Sequence, residues 1–236
     1  VQDIKDGNTI VLEAPKPIPI PNHSLIESSC SLISSGTEKT LVDFGKSGMI
    51  GKALGQPEKL KMVLQKIQTD GISATYDAVK SKLDEPMQLG YCNVGIVKQS
   101  SSGCFPVGTR VVSNGKHASF VRVPNNLIAA IPENVNDEEA VFTVIASIAL
   151  QGVRLASPNI GETVVVTGLG LVGLLTVQIL RANGCKVIGI DFDSSKCELA
   201  KKFGAEIVDL SKGDDALKIV EDFSKGRGVD AVLITA

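Results

Sequence analysis

The sequence predicts two architectures in tandem: a β-rich amino-terminal half with a helical insertion, and an α/β carboxy-terminal half built on a doubly wound parallel sheet. Three observations predict it. Near residue 135 the pattern changes, from short Val-, Ile- and Ser-rich runs bounded by Gly, Pro or Asn to apolar runs alternating with helical segments. The segment from Pro57 to Leu83 interrupts the first pattern with helical spacing. The downstream apolar runs are continuous, as strands buried on both faces of a sheet must be.

Upstream, "NTIVLEAP", "HSLIESSCSLIS", "YCNVGIVKQ", "TRVVSN" and "ASFVRVP" read as strands. The prolines of "APKPIPIPNH" (14–23) cannot donate to a ladder, so this stretch reads as an edge or a connection. In the insertion, Leu60, Val63, Leu64 and Ile67 share one helix face. Ile72, Tyr76, Val79 and Leu83 share a second, with Asp70-Gly71 as the break. The expected domains are therefore 1–139, with the insertion over about 56–84, and 140–236.

Downstream, "TVVVTG" (163–168) is a buried strand. A helix follows from Leu171 to Asn183, with Gly184 in the position of a C′ glycine. "KVIGID" (186–191) is the next strand, and Ser194 caps a helix that ends at Gly204. "EIVDL" (206–210), a helix over Asp214–Ser224 and "AVLITA" (231–236) complete the series. Strands alternating with helices imply right-handed βαβ crossovers. Only four such strands are visible, where a doubly wound dinucleotide sheet normally has six, so the expectation is a truncated sheet belonging to a longer protein.

Composition excludes several classes of function. The net charge is −2, from 24 Lys and Arg against 26 Asp and Glu, without long like-charge blocks, so nucleic acid is not the expected partner. The five cysteines are an odd set without a C-x-x-C pair, which points to a reducing intracellular compartment. The longest apolar stretch, Ala140 to Leu150, is too short for a bilayer and contains Thr143 and Ser147. The start "VQDIKDGNTIVLE" lacks the basic and apolar regions of a signal peptide. The expected location is cytoplasmic, without a membrane partner.

The strongest motif is "TGLGLVG", in which Gly168, Gly170 and Gly173 fit G-x-G-x-x-G between a buried strand and a helix. The first glycine allows the tight turn, the second admits a pyrophosphate to the backbone, and the third lets helix and strand pack closely. Gly168, Leu169, Gly170, Leu171, Val172 and Gly173 thus form the expected phosphate-binding turn, with the helix N-terminus facing the anion. Asp191, at the end of the second strand, is placed to accept hydrogen bonds from ribose hydroxyls. Its charge repels a 2′-phosphate and Phe192 offers no compensating cation, so NAD is favoured over NADP.

A second stretch, "QLGYCNVGIV" (88–97), sets Tyr91 and Cys92 between two glycines. The residues alone allow a metal site, a nucleophile or acid, or plain packing. Cys92 reads better as a small buried hydrophobe than as a nucleophile, because no positive neighbour is evident.

With "VGTRV", "ASFVRVP", "IPENV", "EEA" and the glycine fingerprint in this order and spacing, the chain resembles the medium-chain dehydrogenase/reductase superfamily, the alcohol dehydrogenase-like enzymes. The resemblance covers nearly the whole chain. It implies a GroES-like β-rich catalytic domain followed by a Rossmann domain, and hydride transfer on an alcohol/carbonyl pair of a small-molecule substrate. More narrowly, "SSGTEKTLVDFGKSGMIGKA" and "LGYCNVGIV" resemble the bi-domain oxidoreductases of bacterial surface-polysaccharide gene clusters. Those carry a second, glucose–fructose oxidoreductase-type domain after this one, which implies a sugar or nucleotide sugar as substrate. Subunits of the superfamily commonly pair through an edge strand, which would lie beyond Ala236, so a homo-oligomer is compatible with the resemblance.

Zinc members of the superfamily have Gly-His-Glu where this chain has Gly90-Tyr91-Cys92, a first cysteine near Ile33, and a third ligand near Thr143. Isoleucine cannot ligate, tyrosine is a poor ligand and threonine a rare one, while a catalytic zinc needs three protein ligands. The four-cysteine lobe is also missing, so the expectation is no metal. The resemblance then makes Tyr91 either the proton donor of a zinc-independent reaction or a filler of the vacated metal cavity. Ser35 and Thr37 fall on the loop of the proton-relay hydroxyl or are turn formers, and Ser147 falls on a hydroxyl position beside the nicotinamide. His117 reads as structural, and Glu38 as a residue that orders its loop. Two other functions stay open: a dinucleotide-binding regulatory or scaffold module whose partner domain does the chemistry, and a zinc alcohol dehydrogenase.

Overall fold

The computed structural model describes residues 1–3, 8–46, 86–101 and 103–236. The helical insertion expected over about 56–84 lies outside these residues. The chain divides into two compact units, Val1–Val141 and Phe142–Ala236.

In the first unit, β1 (His23–Ser31), β2 (Asn93–Ser100), β3 (Arg110–Ser113), β4 (Phe120–Pro124) and β5 (Ile128–Ala130) form an antiparallel sheet in the order β4-β1-β2-β3-β5. Alternation along these strands gathers Ile26, Val97, Val111, Val121 and Val123 into one core, with Phe105 and Ile128 packed against it. Glycine is required at position 95, where a Cβ would fall 2.1 Å from the Glu27 carbonyl oxygen of the adjoining strand. The ladder between β1 and β2 shifts register twice on β1, at Leu25/Ile26 and at Ser28/Cys30. Two helices complete the unit, α1 (Ser35–Lys46) and the short α2 (Asp137–Ala140). The second begins with a capping box, in which Asn136 Oδ1 accepts from Glu139 N–H at 2.8 Å and Glu139 accepts in return from Asn136 N–H. Asp137 anchors this helix to the sheet. Its carboxylate accepts from Ser29 Oγ at 2.6 Å and from Arg110 Nε at 3.1 Å, and these bonds hold it below the usual carboxylate range.

Three expectations for this half need correction. "NTIVLEAP" is not a strand: Thr9 makes one isolated bridge to Gln2, and Val11 is 98% exposed. Its β-branched residues have no partner strand among the described residues, and propensity without a partner does not make a sheet. "HSLIESSCSLIS" stops being a strand at Ser31, and the residues read as a relay loop begin α1 instead. β5 carried too short a signal to be read.

In the second unit, α3 (Thr143–Ala156) precedes β6 (Thr163–Thr167), α4 (Leu171–Ala182), β7 (Lys186–Asp191), α5 (Ser194–Lys202), β8 (Glu206–Asp209), α6 (Ala216–Ser224) and β9 (Ala231–Ile234). All four strands are parallel, in the order β8-β7-β6-β9. Chain order thus reverses between β6 and β9, the crevice where open α/β sheets bind ligands. Both faces are covered. Val164, Val166 and Val187 pack with Val177 and Leu180 of α4 and with Cys197 and Ala200 of α5. Val165, Ile188 and Val208 pack on the other face with Ile219, Val220 and Phe223 of α6.

The helix α3 is absent from the elements expected from sequence, although Thr143, Ser147, Gln151 and Arg154 recur along one exposed face opposite the buried Ile145, Ala149 and Val153. The cap of α5 is Asp193, whose side chain accepts from Ser195 N–H at 2.9 Å. Ser194, expected in that role, bonds through its hydroxyl to Asp209 instead. Gly184 does follow α4 with φ +84°.

Asp209 is buried, with Ser194 and Ser211 hydroxyls and Lys212 around its carboxylate, and these partners hold it far below the ordinary carboxylate range. A carboxylate depressed on folding stabilises the protein above its unfolded value, and that contribution is lost as pH falls toward the folded value. Melting curves should therefore show an acid-dependent loss beginning below about pH 4. Asp209→Asn should lower the Tm at pH 7 and flatten the acid limb; an unchanged limb would contradict this assignment.

Candidate functional site

In the second unit, the fingerprint turn leaves β6 where the chain must reverse. Gly168 has φ +86°, a conformation side chains disfavour, and its N–H donates to the Ile190 carbonyl at 2.9 Å. Thr235, just after β9, donates its hydroxyl to the Gly168 carbonyl oxygen at 2.6 Å, fixing the turn from the opposite side of the crevice. Gly173 sits against that same oxygen: a Cβ there would lie 1.9 Å from it. Gly170 differs. Its φ is −70°, open to any residue, and a Cβ added to it would meet nothing within 4 Å. Neither backbone conformation nor internal packing requires a glycine here.

Gly170 is also the N-cap of α4, and the first amide to bond back into the helix is Leu174 N–H, to the Gly170 carbonyl at 2.9 Å. The amides of Leu171, Val172 and Gly173 therefore lack carbonyl partners within the helix and carry the positive end of its dipole. Leu169 takes a different part from the one expected. Its side chain is fully buried, and its N–H donates to Asp191 Oδ2 at 2.6 Å, so it holds Asp191 and does not face the crevice. The other Asp191 oxygen accepts from Asp193 N–H at 2.9 Å. Each oxygen keeps acceptor capacity for a further donor, such as a ribose hydroxyl. Beside it, Phe192 is 74% exposed.

In the first unit, three stretches distant in sequence converge. After β1, Leu32 N–H donates to the Cys92 carbonyl at 3.1 Å, and His117 N–H donates to the Leu89 carbonyl at 2.9 Å. These bonds close the Gly90-Tyr91-Cys92 turn, in which Gly90 has φ +85° and lies so near the His117 ring that a Cβ would come within 2.7 Å. Glu38, in the first turn of α1, is buried. Its Oε1 accepts from Ser34 N–H at 2.9 Å and its Oε2 meets His117 Nε2 at 2.9 Å. On the other side of the ring, His117 Nδ1 meets Ser31 Oγ at 2.8 Å.

Tyr91 is half-buried beside this group, and its hydroxyl makes no hydrogen bond with the described residues. Ser35 and Thr37 are exposed in the first turn of α1. Ser147 belongs to the second unit, on α3, where its hydroxyl donates to the Val144 carbonyl at 2.7 Å. His117 and Glu38, read from sequence as a structural and a loop-ordering residue, are the two that the fold joins most tightly. Their separation along the chain leaves no sequence spacing that could have revealed the pair.

A zinc ion does not fit the residues at the aligned positions. Ile33 has no donor atom, and among the described residues no group of three or more His, Cys, Asp or Glu could hold a metal. A dinucleotide fits better: the open cradle at Gly170, the first-turn amides of α4 and the half-buried Asp191 match a diphosphate linked to a ribose.

Residues 172–236 match the family model described as zinc-binding dehydrogenase. Among curated proteins, an alcohol dehydrogenase of Geobacillus stearothermophilus is 32% identical over 124 residues, 52% of this chain and 36% of the relative. D-guloside 3-dehydrogenase of Escherichia coli (strain K12) is 30% identical over 155 residues, 63% of this chain and 44% of the relative. The chain thus spans less than half the length of these relatives. Galactitol-1-phosphate dehydrogenase from Escherichia coli shares the fold, with a TM-score of 0.74 at 20% identity over 100% of this chain and 67% of that one. The glycine turn and the order of strands agree with these relatives: over residues 172–236 the chain is similar to zinc-binding dehydrogenases, and its fold is that of alcohol dehydrogenase-like, medium-chain dehydrogenase/reductase proteins.

Proposed function

We propose that the chain binds NAD in preference to NADP and takes part in zinc-independent hydride transfer on an alcohol/carbonyl pair. A sugar or nucleotide sugar is the substrate class favoured. The single observation that carries the cofactor reading is Gly170, a glycine that neither the fold nor its own φ requires, facing open space at a helix N-terminus. The names of the relatives, which include a D-guloside 3-dehydrogenase and a D-xylulose reductase, support the substrate class.

When bound, the nicotinamide accepts or supplies the hydride. The residues of this chain do the holding. The amides of Leu171, Val172 and Gly173 carry the diphosphate, Asp191 grips the adenosine ribose, and Phe192 offers a flat apolar face to the base. Ser147 supplies a hydroxyl toward the nicotinamide. On the substrate side Tyr91 gives a phenol free to donate a hydrogen bond to the carbonyl oxygen, with Ser35 and Thr37 as neighbouring hydroxyls. The expected compartment is the cytoplasm; among the described residues no helix is long and apolar enough to cross a membrane.

Asp191→Ala removes the ribose acceptor and the partner of Leu169 N–H together. NADH affinity, read by titration of its fluorescence, should fall by at least about tenfold, about 1.4 kcal/mol. The wild-type protein should bind NADH more tightly than NADPH. Equal affinities would defeat the preference, and unaltered NADH binding by the variant would defeat the assignment of Asp191. A screen of sugar alcohols and nucleotide sugars with NAD then reports the substrate.

A further inference from the structure

We propose that Ser31, His117 and Glu38 form the proton path of this reaction, with Ser31 as the hydroxyl that meets the substrate and the other two as positioning residues. The inference rests on the alcohol/carbonyl chemistry proposed above and assigns its proton to a group outside the expected set of Tyr91, Ser35 and Thr37. Three observations carry it. The imidazole of His117 is bonded at both nitrogens, to Ser31 Oγ at 2.8 Å and to Glu38 Oε2 at 2.9 Å. The chain is graded in exposure: the Glu38 side chain is 7% exposed, that of His117 25%, and Ser31 lies at the surface. The far end is fixed, because Glu38 also accepts from Ser34 N–H, and the ring is wedged against Gly90, next to Tyr91.

Chemistry sets the direction of the bonds. A carboxylate only accepts, so with Glu38 ionised the ring proton sits on Nε2 and Nδ1 is left as an acceptor for the Ser31 hydroxyl. The Ser31 oxygen keeps its lone pairs for a substrate hydroxyl. In alcohol oxidation the substrate O–H proton passes to Ser31 Oγ while the Ser31 proton passes to His117 Nδ1. The electron pair of the substrate C–H bond leaves as hydride to NAD, the C–O bond becomes C=O, and the imidazolium that results is paired with Glu38. Reduction runs the same steps backwards. A hydroxyl–imidazole–carboxylate series of this kind is the usual way to make a weakly acidic hydroxyl a proton carrier.

The test uses the intact protein with NAD and the substrate found by the sugar screen, with nuclear magnetic resonance of the imidazole nitrogens beside it. The chain has only two histidines, so His117 and His23 are readily distinguished by a His23→Gln variant. The expected ring is protonated at Nε2 with Nδ1 accepting, and Ser31→Ala should move the Nδ1 resonance. Ser31→Ala should lower kcat on the order of 10²-fold or more with KM and NADH affinity nearly unchanged. His117→Ala should lose a similar factor and recover part of it with free imidazole in solution, a rescue that a merely structural histidine would not show. A ring protonated at Nδ1, which cannot accept the Ser31 proton, overturns the proposal whether or not a substrate is found. So does wild-type kcat in Ser31→Ala. Loss of NADH binding by wild-type protein would instead refute the cofactor reading, and the resonance result would be unaffected by it.

Discussion

Gly170→Val is expected to weaken NADH binding by at least about 100-fold, about 2.8 kcal/mol, while the protein stays folded. The expectation follows from what surrounds the position. The added side chain meets no protein atom within 4 Å of its Cβ, and φ −70° suits valine as well as glycine. The structural cost is confined to the N-cap of α4, where exchanging glycine for a β-branched residue costs on the order of 1 kcal/mol. That corresponds to a Tm change of about 2–4 °C in a protein of this size. The valine methyls would stand where a diphosphate must approach the amides of Leu171, Val172 and Gly173. Fluorescence titration with NADH alongside a thermal melt separates the two effects. Wild-type affinity in a folded variant would remove the main support for dinucleotide binding.

Gly173→Ala should do the reverse and strike the fold first. Its Cβ would sit 1.9 Å from the Gly168 carbonyl oxygen and 2.7 Å from Thr235 Oγ1. Neither can easily yield: Gly168 is held in a left-handed turn, and Thr235 is bonded to the same carbonyl. The helix must then move off β6, loosening the packing of Val177 and Leu180, both fully buried, against Val164 and Val166. Overpacking of this kind costs about 3 kcal/mol, a fall in Tm on the order of 6–12 °C. An unchanged urea midpoint would show that the turn has slack the contacts do not suggest. Two glycines three residues apart in one motif thus have separable duties, one toward the ligand and one toward the sheet.

The second half was largely legible because its signals are local. "TVVVTG" and "KVIGID" are continuous apolar runs, and they emerge as β6 and β7 buried on both faces. Glycines punctuate the helices at their ends, as Gly184 does after α4. Errors arose where a neighbour far along the chain decided the matter. Ser194 gives its hydroxyl to Asp209 on the next strand, which leaves Asp193 to cap α5. In the first half, Thr9 and Val11 have the composition of a strand but find no sheet among the described residues. The residues from Ser35 onward resemble a loop in composition, yet they become α1 through the reciprocal bonds of Ser34 and Glu38, each backbone N–H served by the other residue.

By itself the sequence determined the periodicity that makes parallel strands and helices, the turn at Gly168, the open glycine at 170 and the acid at 191, because each depends on residues close together in the chain. Only the tertiary structure decided that His117 joins Ser31 and Glu38. Those partners lie 86 and 79 residues away, and no local pattern reports which strand ends a sheet will bring together. Hydrogen bonds of that kind depend on the order β4-β1-β2 in space, a product of packing the whole antiparallel core, and their chemistry becomes visible only once that core has formed.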